Sequence, residues 1–306
     1  MKDLGGLVRQ YLEYCEVEKG KSTNTIINYN HYLMRFLFWA NKNQIQNPND
    51  LNLEKIRQYR LYLNHFNQSS LSKKTQNYHI IALRAFLKYL IKNDIATLAP
   101  EKIELSKQNT REINFLSPDE LQKIFAEVSS KNTRGLRDKA ILEVLFSTGL
   151  RVSELVNLDV EKINFKNNEF SVQGKGEKSR IVFLSPAALV ALKNYLNQRR
   201  DNFKPLFIDH HKNIDQNNDN SKINVRLTAR TIQRIIKKYA TLAGIAKKVT
   251  PHVMRHSFGT DLLRNGADLR AVQQLLGHSS ITTTQIYTHV TDQHLRDVHQ
   301  KFHGKK

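Results

Sequence analysis

The apolar residues of the first hundred positions recur at every third or fourth place and show no sustained alternation with polar residues. That spacing puts apolar side chains on one face of an α-helix, whereas a half-buried strand would require alternation. Four such segments follow one another, at about residues 4–15, 22–37, 51–66 and 71–92. The pattern predicts an N-terminal domain of four helices over residues 1–105, with Cys15 in its core.

The helical spacing lapses over residues 106–116, and we interpret this segment as a linker because most of its residues are polar or charged. A second domain is predicted over residues 117–306. It begins with L-S-P-D-E-L. In this motif Ser117 is expected to cap a helix, Pro118 to take the first helical position and Glu120 to complete a capping box.

The spacing changes to that of strands between residues 163 and 184. The runs I-N-F-K, E-F-S-V-Q-G and S-R-I-V-F-L are joined by two short turn-forming segments, which predicts three antiparallel strands. Helical spacing returns at Ser185, is interrupted by a polar, asparagine-rich loop at 209–223, and resumes near residue 228. The predicted fold is mainly α with a small antiparallel sheet, so that the second domain is of the α+β type.

The charge balance constrains the partner. Lysine and arginine number 48 against 28 acidic residues, a net charge of +20 that favours a polyanion, with nucleic acid as the default. A membrane is disfavoured because no run of 18 apolar residues exists and the basic residues are spread along the chain. The first ten residues lack the apolar core of a signal peptide and a single cysteine excludes an intramolecular disulfide, so a cytoplasmic protein is expected.

Two helical segments carry polar and basic side chains opposite their apolar stripes. These residues are Lys73, Lys74 and Arg84 in the fourth segment and Arg230, Gln233 and Arg234 in a later one. A solvated helix face has this composition, and so does a face that contacts DNA. Both interpretations remain open at the level of sequence.

The stretch T-P-H-V-M-R-H brings together groups that bind anions. With Thr250 as N-cap and Pro251 at the first position, His252 and Arg255 fall on one face of the first helical turn, near the positive end of the helix dipole.

Two metal-site alternatives can be weighed on spacing. The histidines at 252 and 256 are spaced like zinc-protease ligands, but those enzymes need a glutamate where this chain has Val253. His210 and His211, in the asparagine-rich loop, lack the spacing and the partners of a structural zinc site. We therefore expect no metal and no cofactor.

Three further residues are candidates for the site because of the residues next to them in the sequence. Arg151 follows a glycine that would let the chain turn, Lys175 lies between two glycines at a hairpin tip, and His278 follows Leu-Leu-Gly at the predicted end of a helix. Taken alone, these residues suit an ordinary surface arginine, a charged hairpin tip that prevents edge pairing, and a helix C-cap.

The tyrosines after the linker can be sorted by spacing. Tyr195 and Tyr239 continue apolar stripes and are predicted to lie in the core. Tyr287, among threonines and beside His289, belongs to no such stripe. It is therefore the candidate for a chemical role.

Six elements, in order, now carry a resemblance: Arg151, Lys175 in a hairpin, His252 with Arg255, His278 after Leu-Leu-Gly, and Tyr287. Over nearly its whole length the chain resembles the tyrosine recombinase (phage integrase) family. The stretches L-R-V-S-E-L, V-Q-G-K-G-E-K, L-L-G-H-S and T-T-T-Q-I-Y-T-H-V are most similar to bacterial Xer-type site-specific recombinases. The resemblance implies a SAM-like core-binding N-terminal domain, a tyrosine recombinase catalytic domain, and a DNA recombination reaction through a 3′-phosphotyrosine, in chromosome or plasmid dimer resolution.

The residues can be given roles beside that resemblance. Arg151 and Arg255 are expected to clamp a phosphate, and Glu154 to orient Arg151. His252 is the candidate base, Lys175 the candidate acid and Tyr287 the nucleophile. His278 is expected either to hydrogen-bond a non-bridging phosphate oxygen or to steady the arginine clamp.

The resemblance also implies partners. They are double-stranded DNA with paired half-sites, clamped between the two domains, and further recombinase subunits in a tetramer of one chain or of two paralogues. A C-terminal segment around Val298 and Phe302 is expected to dock onto a neighbour. A septal DNA translocase is a further implied partner. Three alternatives remain: an integrase or transposase of a mobile element, a type IB topoisomerase-like enzyme that nicks and rejoins one duplex, and a DNA-binding protein without catalysis.

Overall fold

The computed structural model describes residues 3–66, 70–107, 114–174, 179–210 and 225–277. Contacts divide the chain into two compact units, Met1–Arg111 and Glu112–Lys306, so that the division falls within the segment 106–116. Among the described residues, no helix has both the length and the apolar character needed to cross a bilayer.

The first unit is built from helices. They are α1 (Leu4–Val17), α2 (Thr23–Lys42), α3 (Leu53–Asn64) and α4 (Lys73–Lys92). The side chains of Asp3, Asn52 and Ser72 each accept a hydrogen bond from a backbone amide in the first turn of α1, α3 and α4. These bonds satisfy amides that have no partner within the helix. The four-helix prediction is confirmed.

The core of the first unit contains the predicted cysteine and a buried histidine. Cys15 is 3% exposed, in agreement with the helical spacing. His79 of α4 lies 3.3 Å from the hydroxyl of Tyr59 and 3.2 Å from the guanidinium of Arg35. Burial, together with the charge of Arg35, lowers the pKa of His79 to about 4, so that this ring is neutral at physiological pH.

The second unit is mostly helical as well. Its helices are α5 (Pro118–Ala126), α6 (Thr133–Thr148), α7 (Val152–Val156), α8 (Pro186–Gln198), α9 (Ala229–Leu242), α10 (Pro251–Arg264) and α11 (Leu269–Leu276). The predicted capping box is present: Glu120 donates its amide to Ser117 Oγ at 3.2 Å, and Ser117 donates its amide to Glu120 Oε2 at 2.8 Å. Helix α6 lies in the centre of the unit and packs against α8 and α10.

The sheet of the second unit has two antiparallel strands within the described residues, β1 (Glu169–Gln173) and β2 (Ser179–Phe183). The prediction of a third strand over residues 163–166 is wrong, because only Asn164 of that run pairs, in a single bridge with Glu169. Residues 160–162 form a 3₁₀ turn, and Asn168 adopts a left-handed φ of 56°. The chain reverses over residues 165–168, where the amides of Lys166 and Asn167 donate to Asn164 Oδ1 at 3.0 Å, so the second half of the run is a turn and cannot extend the ladder.

Candidate active site

A glycine places the first arginine of the site. Gly149 ends α6 with a φ of +58°, a conformation that other residues adopt only with strain. A Cβ atom at this position would lie 2.5 Å from the ring of Phe258. Backbone conformation and packing therefore both require glycine here. The turn, which the sequence predicts, puts Arg151 at the N-cap of α7.

Glu154 accepts hydrogen bonds from both the backbone and the side chain of Arg151. Glu154 Oε2 accepts the backbone amide of Arg151 at 2.8 Å, and Glu154 Oε1 accepts Arg151 Nη1 at 2.8 Å. The carboxylate side chain is 6% exposed and the arginine side chain 36% exposed, so one edge of the guanidinium faces the carboxylate while part of it reaches solvent. Arg151 Nη2 also donates to the carbonyl oxygen of Gly277 at 3.1 Å.

A second arginine, Arg180 of β2, binds the same carboxylate. Its Nη1 and Nη2 donate to Glu154 Oε1 and Oε2 at 2.9 and 2.8 Å, and its Nε donates to the carbonyl of Leu275 at 3.0 Å. Burial alone would raise the pKa of Glu154, but the hydrogen bonds from Arg180 and Arg151 outweigh burial and lower that pKa. Glu154 is therefore ionised.

Arg180 is absent from the residues singled out in the sequence. One signal pointed to it: in a strand that alternates, Arg180 shares a face with the buried Val182, so an arginine occupies an inward position. A buried charge needs a partner, and the alternation therefore predicts an ion pair without naming its other member.

Arg255 is the most deeply buried cation of the site, at 3% exposure. Its Nη1 donates to the carbonyl of Gly149 at 2.7 Å, and its Nη2 donates to the carbonyl of Leu276. Helix α10 begins as predicted, with Thr250 capping the amide of Val253 at 3.3 Å. The arginine thereby joins the end of α6 to the end of α11.

The two histidines of α10 pack against each other edge to face. His252 is exposed and His256 is 9% exposed, and their ring centroids lie 4.4 Å apart in a T-shaped arrangement. Aromatic rings favour this edge-to-face geometry. In the parts of the chain that the structure describes, no group of three or more histidine, cysteine or acidic residues could hold a metal ion.

These contacts bring four chain segments to one place: the α6–α7 turn, β2, the first half of α10 and the end of α11. Arg151 and Arg180 share the Glu154 carboxylate, and these two guanidiniums together with that of Arg255 bind the carbonyl oxygens of residues 149, 275, 276 and 277. The described part of the site therefore has an excess of positive charge, which suits an anion.

Half of the predicted catalytic set lies outside the described residues: Lys175, His278 and Tyr287. So do Val298 and Phe302, and all but the first two residues of the asparagine-rich loop. Helix α11 ends at Leu276, and Gly277 has the left-handed φ of 62° that the Leu-Leu-Gly motif predicts, immediately before His278 in the sequence.

The two other late tyrosines lie in the core, as predicted. Tyr195 is fully buried and its hydroxyl lies 3.1 Å from Nε2 of His210. Tyr239 is 4% exposed and its hydroxyl donates to Asp138 at 3.1 Å. Burial raises the pKa of each phenol to about 12, which makes both poor nucleophiles.

The candidate DNA-binding residues lie on helix surfaces. On α4, Lys73 and Lys74 are exposed and Arg84 is half-buried. On α9, Arg230, Gln233 and Arg234 are exposed opposite a buried isoleucine stripe. Exposure is required of a solvated face and of a DNA-contacting face alike.

Two known protein families match parts of this chain. Residues 114–294 match the phage integrase family, and residues 8–94 match the phage integrase N-terminal SAM-like domain.

Proteins similar over their whole length carry related names. The chain is 36% identical to "Tyrosine recombinase XerD" of Lacticaseibacillus casei, over 98% of this chain and 99% of that one. It is 33% identical to "Tyrosine recombinase XerC" of Bacillus subtilis strain 168, over 100% of this chain and 98% of the relative. The crystal structure of XerA recombinase matches with a TM-score of 0.53 and 32% identity, covering 99% of both chains.

Proposed function

The chain belongs to the phage integrase family and is a site-specific tyrosine recombinase, and from this we propose that it cleaves and rejoins DNA through Tyr287 at the site of Arg151 and Arg255. One observation carries the proposal: Arg151 is held by a buried carboxylate and a backbone carbonyl, and Arg255 by two backbone carbonyls, in surroundings with an excess of positive charge. Such an arrangement is complementary to a phosphodiester.

The negative charge that develops during the reaction explains why the site needs arginines. A phosphodiester carries one negative charge and gains a second in its pentavalent transition state, so catalysis requires cations that are already in place. Arg151 and Arg255 serve this purpose by donating to the non-bridging oxygens. Each charge-assisted hydrogen bond contributes roughly 1.5–3 kcal/mol. His278 is assigned a further hydrogen bond to a non-bridging oxygen.

Two proton transfers accompany the substitution. The phenolic oxygen of Tyr287 forms a bond to phosphorus while the bond from phosphorus to the 5′ oxygen breaks. His252 accepts the phenolic proton, because a phenol with a pKa of about 10 must ionise as it attacks. Lys175 donates a proton to the departing 5′ oxygen. The products are a 3′-phosphotyrosine and a 5′-hydroxyl, and reversal with a different 5′-hydroxyl rejoins the strand.

The experiment that tests this function captures the protein on DNA. Purified full-length protein is incubated in EDTA with fragments of the DNA of its own cell, denatured with detergent, and the bound fragments are sequenced. We expect the fragments to share one site and to carry the protein on a 3′ end. The 5′ end on the other side of the break should be labelled by polynucleotide kinase without prior phosphatase treatment, because it carries a free hydroxyl. Adducts on 5′ ends, or an absence of adducts, would contradict the proposal.

We further propose that α4 contacts DNA through Lys73, Lys74 and Arg84, and that Arg230, Gln233 and Arg234 of α9 contact DNA at a groove. The net charge of +20 and the exposure of these helix faces support this assignment. Binding through phosphates releases counterions, so log K falls with log salt by roughly 0.9 for each contact. The salt dependence therefore measures whether these helices touch the duplex.

A paired replacement on each helix tests that assignment. We expect Lys73→Ala with Lys74→Ala, and Arg230→Ala with Arg234→Ala, each to make the slope of log K against log salt shallower by roughly 2. Lys193→Ala, an exposed lysine on α8, is the control and should leave the slope unchanged. Slopes equal to wild type in both double variants would mean that these faces are merely solvated.

The full-length similarity to XerD and XerC favours a role in resolving chromosome or plasmid dimers, with DNA that carries paired half-sites and a recombinase tetramer of one chain or of two paralogues. Docking of the segment around Val298 and Phe302 onto a neighbour, and contact with a septal DNA translocase, belong to the same proposal. Strand exchange between two duplexes distinguishes this role from type IB topoisomerase-like relaxation of one. The flanking sequence of the captured site distinguishes it from a mobile-element integrase.

A further inference from the structure

We infer that Arg180 is a positioning residue for the cleavage reaction: it takes up the charge of Glu154 so that Arg151 remains available to the phosphate, and it fixes the end of α11. The inference rests on the proposed function, since it assumes that Arg151 binds the scissile phosphate. It adds to the site a residue outside the proposed catalytic set of Arg151, Lys175, His252, Arg255, His278 and Tyr287.

The first argument is how the carboxylate is shared. Glu154 accepts four hydrogen bonds, two from the side chain of Arg180 and two from the amide and the guanidinium of Arg151, all between 2.8 and 2.9 Å. Arg180 meets both carboxylate oxygens with its two terminal nitrogens, the bidentate geometry that binds most strongly. Arg151 meets only one oxygen with its side chain. Glu154 is therefore neutralised mainly by Arg180.

The second argument is exposure. The side chain of Arg180 is 10% exposed and that of Glu154 is 6% exposed, whereas that of Arg151 is 36% exposed. Arg180 and Glu154 are both buried and their charges cancel, so the positive charge of the more exposed Arg151 is left for an anion. Without Arg180, Glu154 would draw Arg151 into the full bidentate pair and cancel the charge that the phosphate requires.

The third argument is the contact with α11. Arg180 Nε donates to the carbonyl of Leu275, and a Cβ atom on Gly277 would lie 3.0 Å from Cδ of Arg180. The chain thus passes directly over the arginine stem just before His278. Arg180 lies on β2, the strand that follows the segment bearing Lys175. Arg180 therefore connects Glu154 and the end of α11 through its own hydrogen bonds and packing, and it follows the Lys175 segment in the chain.

The test compares two substrates made from the captured site as nicked duplexes. One has the natural scissile phosphate, and in the other a methylphosphonate removes its negative charge and lowers the need for cations. We expect Arg180→Gln to slow adduct formation on the phosphate by on the order of 10²-fold, the usual effect of losing one electrostatic contribution. On the methylphosphonate, the ratio of wild-type to variant rate should be at least several-fold smaller.

Arg199→Gln is the matched control. Arg199 is another buried arginine of the same unit, with 3% side-chain exposure, and it binds Asp201 and backbone carbonyls that take no part in the site. It should lower the unfolding temperature and change the rates on the two substrates by the same factor. If Arg180→Gln also changes both rates by one factor, Arg180 is only structural and the inference is wrong.

A second variant keeps the test decisive if Arg180→Gln folds poorly. Glu154→Gln combined with Arg180→Gln removes both members of the buried pair, so no carboxylate competes for Arg151. The inference requires this double variant to react faster on the phosphate substrate than Arg180→Gln does. If only the double variant folds, the comparison is with Arg151→Gln, and the ratio of wild-type to variant rate must be smaller for the double variant. A double variant no better than the relevant single one overturns it. Absence of adduct with wild-type protein would instead contradict the proposed function.

Discussion

Tyr287→Phe is expected to abolish covalent attachment of the protein to DNA. The phenolic oxygen is the only atom of the proposed site that bonds to phosphorus, and phenylalanine keeps the ring while removing that atom. Binding should be retained, because the phosphate contacts belong to other residues. The measurement is the fraction of a nicked duplex carrying the captured site that migrates with protein on a denaturing gel, alongside the DNA dissociation constant.

The two buried tyrosines supply the controls. Tyr195→Phe and Tyr239→Phe each remove one buried hydrogen bond, to His210 and to Asp138, so each should lower the free energy of unfolding by about 1 kcal/mol and leave adduct formation intact. Adduct at the wild-type level in Tyr287→Phe would reject the assignment. Loss of adduct in a control variant that remains folded would point to a different nucleophile.

Lys175→Ala is expected to slow cleavage of an ordinary phosphodiester by roughly 10²–10⁴-fold, the range for loss of a general acid. A duplex with sulfur in place of the scissile 5′ oxygen should restore the rate of this variant to near that of wild type. The thiolate is a good leaving group and departs without a proton, so the missing acid no longer matters. Single-turnover adduct formation on the two duplexes measures the effect.

Arg255→Ala distinguishes proton donation from phosphate binding. Its guanidinium is assigned to the non-bridging oxygens, whose negative charge still needs a cation when the bridging atom is sulfur. The sulfur duplex should therefore not restore the cleavage rate of Arg255→Ala. If Lys175→Ala and Arg255→Ala fail equally on the sulfur duplex, Lys175 only binds phosphate. Rescue of both would mean that neither residue acts as assigned.

Local sequence rules predicted several of the helix ends. Ser117, Thr250, Gly149 and Gly277 act within four residues of their positions, through caps and left-handed turns, and each has the predicted role in the structure. The third strand was wrongly predicted for a related reason. The run at 163–166 has strand composition, but the turns on both sides leave only Asn164 able to pair.

The support of the arginines could not be predicted from local rules. Arg180 meets Glu154 across 26 residues and Leu275 across 95, and the acceptors on α11 are backbone carbonyls that any residue possesses. No composition or spacing identifies a carbonyl as a future ligand. Apolar spacing alone predicted the burial of Tyr195 and Tyr239, which the structure confirms, and Tyr287 stays a prediction.

The carbonyls at the end of α11 also bear on the order in which the site is completed during synthesis. Arg151 is made 126 residues before Gly277, whose carbonyl it binds, and Arg180 is made 95 residues before Leu275. A nascent chain therefore presents its basic surface, and the Glu154 carboxylate, well before the α11 carbonyls that complete the alignment of its guanidiniums exist. Such a chain can associate with DNA as a polycation. It cannot organise the proposed phosphate clamp until α11 has left the ribosome and folded against β2.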